Sequence, residues 1–268
     1  MTHHPASDHS ELRERLAAAV VEGGALALQT FRGQLKHWIK GKSSPVSEAD
    51  LAVDALLRER LLSIYPVGWL SEETEDDPAR LDSRDVWVVD PIDGTRAYLA
   101  GADDWSVSAA LVSNGRPTIA ALYAPVTGEL FLASAAGGAM LNGVRINAST
   151  GGNIAGATFF ATKRRLETLI ALEPGIKTAP RVASLALRIA RIATGALDGT
   201  LTAANSHDWD LAAADLLVHE AGGALTTLTG EQLIYNQPHP VHGPLVAAGR
   251  RRHTALLSLI ADRRNEFA

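Results

Sequence analysis

Trp87-Val88-Val89-Asp90-Pro91-Ile92-Asp93-Gly94-Thr95 joins an apolar run to a turn-forming run rich in acids. Residues 86–89 are β-branched and aromatic, the pattern of a buried strand, and two acids, a proline and a glycine follow them at once. Pro91 cannot extend a hydrogen-bonded ladder, and Gly94 permits a backbone conformation closed to other residues. Asp90 and Asp93 are therefore expected on a tight turn at the strand end. Carboxylates held that close repel, and the arrangement is tolerable if one takes a proton or if cations sit between them. Asp-Gly alone would read as an Asx turn. The balance shifts with the acids elsewhere: Glu72 and Glu73 after Leu70-Ser71, Asp50 at the end of 44–50, and Asp210 in His207-Asp208-Trp209-Asp210.

The chain has 268 residues, of which 46% are hydrophobic, enough for a sizeable core in one large domain or two intimate halves. It contains no cysteine, so disulfides and thiolate metal sites are excluded and oxygen and imidazole donors remain. A net charge of −5 argues against binding a nucleic-acid polymer or an anionic membrane, while leaving room for a local basic pocket. No apolar run reaches the length of a membrane span and the N-terminus lacks a signal pattern, so a cytoplasmic location is expected.

Residues 1–9 read as a frayed tail in which His3 and His4 are inert. A helix is predicted from Ser10, its stripe running through Leu12, Leu16, Val20, Ala27 and Phe31. Residues 36–45, with Lys40 and Lys42, read either as a mobile segment over the site or as a solvated hairpin. Ser47 is placed to cap a second helix with Asp50 in its first turn, ending at Tyr65-Pro66. Glu75, Asp76 and Asp77 read as a solvated loop. Strands at 106–113, 117–124 and 129–134 form a meander, followed by a hairpin over 137–147 with Asn142-Gly143 at its turn. The small, polar stretch 148–156 is the expected boundary between an N-terminal α+β half (1–150) and a C-terminal α/β half (151–268). In the second half, helices are expected near 164–171, 184–193, 210–221 and from Thr254, with strands at 158–162, 197–202, 224–228 and 245–248. Arg188 and Arg191 read as a solvated helix face, Asp210 as a helix cap, His207 and Asp208 as loop residues, and 237–242 as an extended loop.

The segments Ser44-Pro45-Val46-Ser47-Glu48-Ala49-Asp50, Ser71-Glu72-Glu73, Asp90-Pro91-Ile92-Asp93-Gly94-Thr95 and Trp209-Asp210 with 212–223 resemble, in order, those of the inositol monophosphatase superfamily of lithium-sensitive, metal-dependent phosphatases. Four motifs in one order over about residues 40–225 are far more specific than any one alone. The resemblance implies a layered α+β fold, an αβαβα sandwich, with two or three Mg²⁺ ions and inhibition by Li⁺. It implies Glu72, Asp90 and the Ile92 carbonyl at one metal, and Asp90, Asp93 and Asp210 at another. Asp50 would reach a looser third site, and Thr95 with Glu72 would orient the attacking water. Asp93, Gly94, Thr95, Arg181, Ser184 and Asp210 would meet the substrate, and a homodimer is implied as well.

Inositol monophosphatases carry a glutamate several residues before the Trp-Asp aspartate, and residues 201–205 offer no carboxylate. The motifs are also similar to those of bacterial 3'(2'),5'-bisphosphate nucleotidases, and Arg96, Arg181 and the Lys40–Lys42 segment could meet a second phosphate. Adenosine 3',5'-bisphosphate is therefore the expected substrate, ahead of inositol 1-phosphate and then of histidinol phosphate and fructose 1,6-bisphosphate. A non-catalytic regulator with this fold is the alternative of a different class.

Overall fold

The computed structural model describes residues 5–40 and 44–267. Helix α1 (Pro5–Leu28) leads into a hairpin of β1 (His37–Lys40) and β2 (Ser44–Ser47), then α2 (Glu48–Ile64) and β3 (Gly68–Ser71). Next come β4 (Asp85–Asp93), α3 (Thr95–Leu99), β5 (Ser106–Ser113), β6 (Arg116–Ala124), β7 (Glu129–Ser134), β8 (Gly138–Leu141) and β9 (Val144–Ile146). The remainder comprises β10 (Thr158–Phe160), α4 (Lys163–Leu172), β11 (Lys177–Thr178), α5 (Leu185–Ala193), β12 (Gly199–Leu201) and β13 (Ser206–His207). It closes with α6 (Asp208–Glu220), β14 (Gly223–Thr227), β15 (Val241–His242), β16 (Leu245–Gly249), α7 (Arg250–Ile260) and α8 (Arg264–Phe267). Among the described residues β3 to β9 form a seven-stranded sheet in sequence order, parallel at β3–β4 and antiparallel elsewhere. A five-stranded sheet has the order β11-β10-β12-β16-β14.

Side-chain alternation explains the layering. Along β4, Trp87 and Val89 face outward onto Leu16, Val20, Val53, Leu57 and Leu61 of α1 and α2, while Val86 and Val88 face inward. The inward residues meet α5 and α6, whose other side packs on Leu225, Leu245 and Ala247 of the second sheet. Val246 and Phe159 point the opposite way, onto Leu169, Leu256, Ile260 and Phe267 of α4, α7 and α8. The result is helix, sheet, helix, sheet, helix, the αβαβα sandwich implied by the resemblance. Helix α6 is buried on nearly every side, and Ala212, Ala213 and Ala214 are small enough to let both sheets approach it.

Several boundaries differ from expectation, each for a local reason. Helix α1 starts at Pro5, upstream of Ser10, with proline at the first helical position where no donor is needed, and it ends before Phe31. His3, His4 and residues 41–43, including Lys42, lie outside the described residues. Strand β4 does not stop at Val89 but continues to Asp93 through an irregularity. Helix α6 begins at Asp208, so Asp210 lies in its first turn rather than capping it, and α7 begins at Arg250 rather than Thr254. Val241 and His242 are not in a free loop but pair with His207 and Ser206. Asp77 caps the turn 78–82 through Ala79 N–H at 2.9 Å, and Asp76 pairs with Arg80, so neither is simply solvated. Arg188 lies over the Phe160 ring at 4.5 Å and Arg191 pairs with Glu129, so these two are not a solvated face.

Leu217 of α6 is fully buried in the middle layer. Leu217→Ala is expected to cost about 2–5 kcal/mol through lost transfer energy and a residual cavity. Urea denaturation should show this as a lower midpoint with an unchanged slope.

Candidate metal centre

One extra residue in β4 builds the site. Asp90 pairs with Ser108 of β5 and Asp93 with Ser106, so a spacing of three on β4 opposes a spacing of two on β5. In a regular strand, residues three apart face opposite sides. The bulge turns Ile92 outward into the α1/α2 layer and leaves both aspartates on the side of Ser106 and Ser108. Gly94 then adopts φ 97°, and a Cβ there would lie 3.2 Å from Ser184 N and 3.3 Å from the Asp104 carbonyl, a place fit only for glycine. The chain enters α3 directly, bringing Thr95 beneath the cleft.

Asp90, Asp93 and Asp210 each offer an oxygen, all within 4.8 Å of one another. They line a cavity of about 380 Å³ together with Glu72, Gly94, Thr95, Arg96, Arg181, Ala183 and Pro45. Each acid is held by its surroundings. Asp90 Oδ1 accepts the Ile92 N–H at 3.0 Å, whereas its buried Oδ2 has no hydrogen-bond partner. Asp93 Oδ2 accepts from Ser184 Oγ at 2.5 Å and from the Ala186 N–H at 2.7 Å, at the start of α5. Asp210 Oδ2 accepts the His207 N–H at 2.6 Å, closing the first turn of α6. Glu72, just past the end of β3, is held to β4 through its own N–H and the Val89 carbonyl, at 3.3 Å.

Asp50 stands one layer back. Its Oδ2 accepts from the N–H and hydroxyl of Ser47 at 2.8 and 2.5 Å. Its Oδ1 lies 3.2 Å from Thr95 Oγ1, which is also 3.1 Å from the Ile92 carbonyl. The Thr95 proton is thus committed to these acceptors, and the hydroxyl presents lone pairs to the cavity. Ser184, expected at the substrate, is fully buried: its hydroxyl serves Asp93, meets Ser106 Oγ at 2.9 Å and accepts the Leu187 N–H at 2.9 Å. Arg181 does line the cavity, beside Arg96. Sequence reasoning missed Asp104, which fixes the loop before α5 by accepting the Ala183 N–H at 2.6 Å and, through its carbonyl, the Ser184 N–H at 3.0 Å. It also missed Asp54, which receives Ser71 Oγ at 2.5 Å and Thr74 Oγ1 at 2.6 Å and so steadies the Glu72 loop. No local spacing announces either residue.

Crowding raises the affinity of Glu72, Asp90 and Asp93 for protons. Burial, then the charges of Asp210, Glu73, Asp93 and Asp50, push the half-buried Glu72 up to about 8. Burial and Asp210 push Asp93 up to about 6, against the opposing pull of its Ser184 bond. Asp90 is driven well above the usual range by burial and by Glu72. An all-oxygen donor set with an unpaired buried oxygen fits a hard divalent cation such as Mg²⁺, which would remove the repulsion.

A model of the inositol monophosphatase family matches residues 8–265. The chain belongs to the inositol monophosphatase family. It is 31% identical over 232 residues to Nus factor SuhB of Escherichia coli, covering 83% of this chain and 85% of that protein. It is also 31% identical over 237 residues to inositol-1-monophosphatase of Rhizobium meliloti, covering 82% and 87%. The crystal structure of extragenic suppressor protein suhB from Bartonella henselae superposes with a TM-score of 0.83 at 26% identity, covering 93% of this chain and 98% of that one. An inositol monophosphatase from Thermotoga maritima superposes at 0.80 with 22% identity, over 94% and 97%, which bears on the fold alone. No helix among the described residues is long and apolar enough to cross a membrane.

The raised affinities set a pH dependence with a definite sign. The folded chain favours neutral Glu72, so the contribution of this group to stability is complete below about 4.5 and is lost as pH rises through about 8. In EDTA, the thermal midpoint is expected to fall across that interval. The gain from added Mg²⁺ should grow with pH, because binding requires deprotonated carboxylates. Thermal denaturation with EDTA or excess Mg²⁺ at several pH values checks both trends.

Proposed function

We propose that this protein hydrolyses a small phosphomonoester with Mg²⁺ bound at Asp90, Asp93 and Asp210. The observation that carries this reading is the convergence of those three carboxylates within 4.8 Å, with Asp90 Oδ2 buried and unpaired. Glu72 and the Ile92 carbonyl would share Asp90 in a second ion site, and Asp50 would contribute through water to a third. When bound, Mg²⁺ supplies the positive charge that offsets the phosphoryl oxygens and the departing alkoxide. The protein's own groups then orient the nucleophile. Thr95 Oγ1, its proton held by Asp50 or Ile92, accepts one hydrogen of a water, and Glu72 accepts the other. Gly94 and Thr95 line the cavity, where their backbone would meet the phosphate. No covalent intermediate is needed.

Two substrate readings have support. The relative named inositol-1-monophosphatase favours inositol 1-phosphate, which moves ahead of the nucleotide expected from sequence. Arg96 and Arg181 on the cavity wall favour a second anionic group, as in adenosine 3',5'-bisphosphate. Phosphate release from these two compounds, histidinol phosphate and fructose 1,6-bisphosphate, with and without Mg²⁺ and Li⁺, distinguishes the readings by kcat/KM. No turnover on any of them by a folded protein would overturn the enzymatic reading in favour of a non-catalytic binding protein. Asp93→Asn should fold while losing more than the roughly 100-fold that removal of an outer partner of a metal site costs. Near wild-type kcat in that variant would remove Asp93 from the metal.

A further inference from the structure

Glu72 belongs to the N-terminal sheet and Asp210 to a helix of the second half, and a buried side chain ties together the loops beside them. Arg80 lies in the turn 78–82 after the Glu72 loop, and its side chain is 1% exposed. Its Nε and Nη2 donate to the two Asp76 carboxylate oxygens at 2.6 and 2.9 Å. The guanidinium then reaches the second half: Nη1 donates to Asn236 Oδ1 at 2.6 Å and Nη2 to the Gln237 carbonyl at 3.1 Å. Asn236 Nδ2 returns a bond to the Arg80 carbonyl at 3.2 Å. The Asn236 N–H donates to Asp208 Oδ2 at 2.7 Å, and His242 Nε2 lies 2.7 Å from Asp208 Oδ1. Asp208 opens α6, two residues before Asp210. A continuous path of hydrogen bonds therefore runs from the segment behind Glu72 to the first turn that presents Asp210.

Asp76 satisfies the charge but only two of the five guanidinium hydrogens, and the acceptors at Asn236 and Gln237 lie 156 and 157 residues away in sequence, so the bonds that complete the arginine also join the turn after β3 to the loop before β15. Glu72 and Asp210 face one cavity and, once both are deprotonated as metal binding requires, repel across it, which pushes their elements apart unless something resists. A planar guanidinium with donors in fixed directions resists better than apolar packing, which tolerates sliding. We propose that Arg80 is a positioning residue that, through Asn236 and Asp208, sets the separation of Glu72 and Asp210 for metal binding. The proposal rests on the reading of the cavity as the metal site of a phosphatase.

The test compares Arg80→Gln, Arg80→Lys and Asn236→Gly with Arg252→Gln. Asn236 has φ 58°, so glycine keeps the backbone conformation and its bond to Asp208 while deleting both side-chain links to Arg80. Arg252, also buried, bridges Ser149, Asn153 and Asp198 on the far side of the second sheet and controls for loss of a buried arginine. Mn²⁺ affinity by calorimetry, thermal midpoints in EDTA, and kcat and KM are measured for each. Arg80→Gln and Asn236→Gly should weaken Mn²⁺ binding on the order of 10- to 100-fold, with Arg80→Lys recovering part of the loss. Arg252→Gln should lower the midpoint and leave Mn²⁺ affinity unchanged. If Arg80→Gln fails to fold, Asn236→Gly decides. Wild-type Mn²⁺ affinity in Asn236→Gly would make the link to Arg80 merely structural and overturn the proposal. A wild-type protein that binds Mn²⁺ but hydrolyses nothing would remove the phosphatase reading and leave this comparison intact; one that binds no Mn²⁺ would overturn both.

Discussion

The pairing of Asp90 and Asp93, three apart on one strand, with Ser108 and Ser106, two apart on the next, is the constraint from which the cleft follows. It sends two carboxylates to one face of a buried sheet, where water cannot separate their charges. Everything nearby answers that concentration of charge. Small serines on β5 leave room for it, a serine and the start of a helix donate to Asp93, and Asp90 is left with one oxygen that no described residue satisfies. Buried polar atoms without partners are uncommon in native folds, and one of the few among the described residues here sits where three acids converge.

Helix α6 carries the third of those acids, and its composition shows how one element can serve both core and site. Its alanines and leucines fill the layer between the sheets, while its polar residues occur where partners exist. Asp208 is held by Asn236 and His242, and Asp215 by the Tyr235 hydroxyl at 3.1 Å and by Arg116 at 3.4 Å. Networks satisfied in this way stiffen a core, because each lost bond would leave a polar atom in a medium of low dielectric. A rigid α6 keeps Asp210 facing the strands of the seven-stranded sheet.

Proteins named as a phosphatase and as a Nus factor resemble this chain to a similar extent. A shared layered scaffold accommodates both names, since the fold supplies only the frame and the chemistry resides in a few side chains at the cleft. In this chain Glu72, Asp90, Asp93 and Asp210 line one cavity, while its wall carries Arg96 and Arg181 and the segment 201–205 lacks a carboxylate. Differences of that kind, at the rim rather than among the acids, are where preferences for one phosphorylated compound over another arise.

Asp90 and Asp93 were legible in the sequence because acid, proline and glycine beside an apolar run form a local pattern, and so were the meander and its Asn-Gly turns, whereas Glu72 and Asp210 stood out only through the resemblance of their segments to the inositol monophosphatase superfamily. Helix boundaries were less so, since α1 and α6 begin upstream of the residues that local spacing marked, at Pro5 and Asp208. A turn at Asp90 was the natural reading of Asp-Pro, yet ladder bonds to β5 carried the strand through as a bulge. Ser184 shows the same limit: its position before α5 was evident, but its direction was not. Composition and local spacing determined that this chain would gather oxygen donors around a buried strand. Only the tertiary structure decided which face they share, what holds them there and how Asp54, Asp104, Arg80 and Asn236 support them, because those contacts join residues far apart in sequence and depend on how the layers stack.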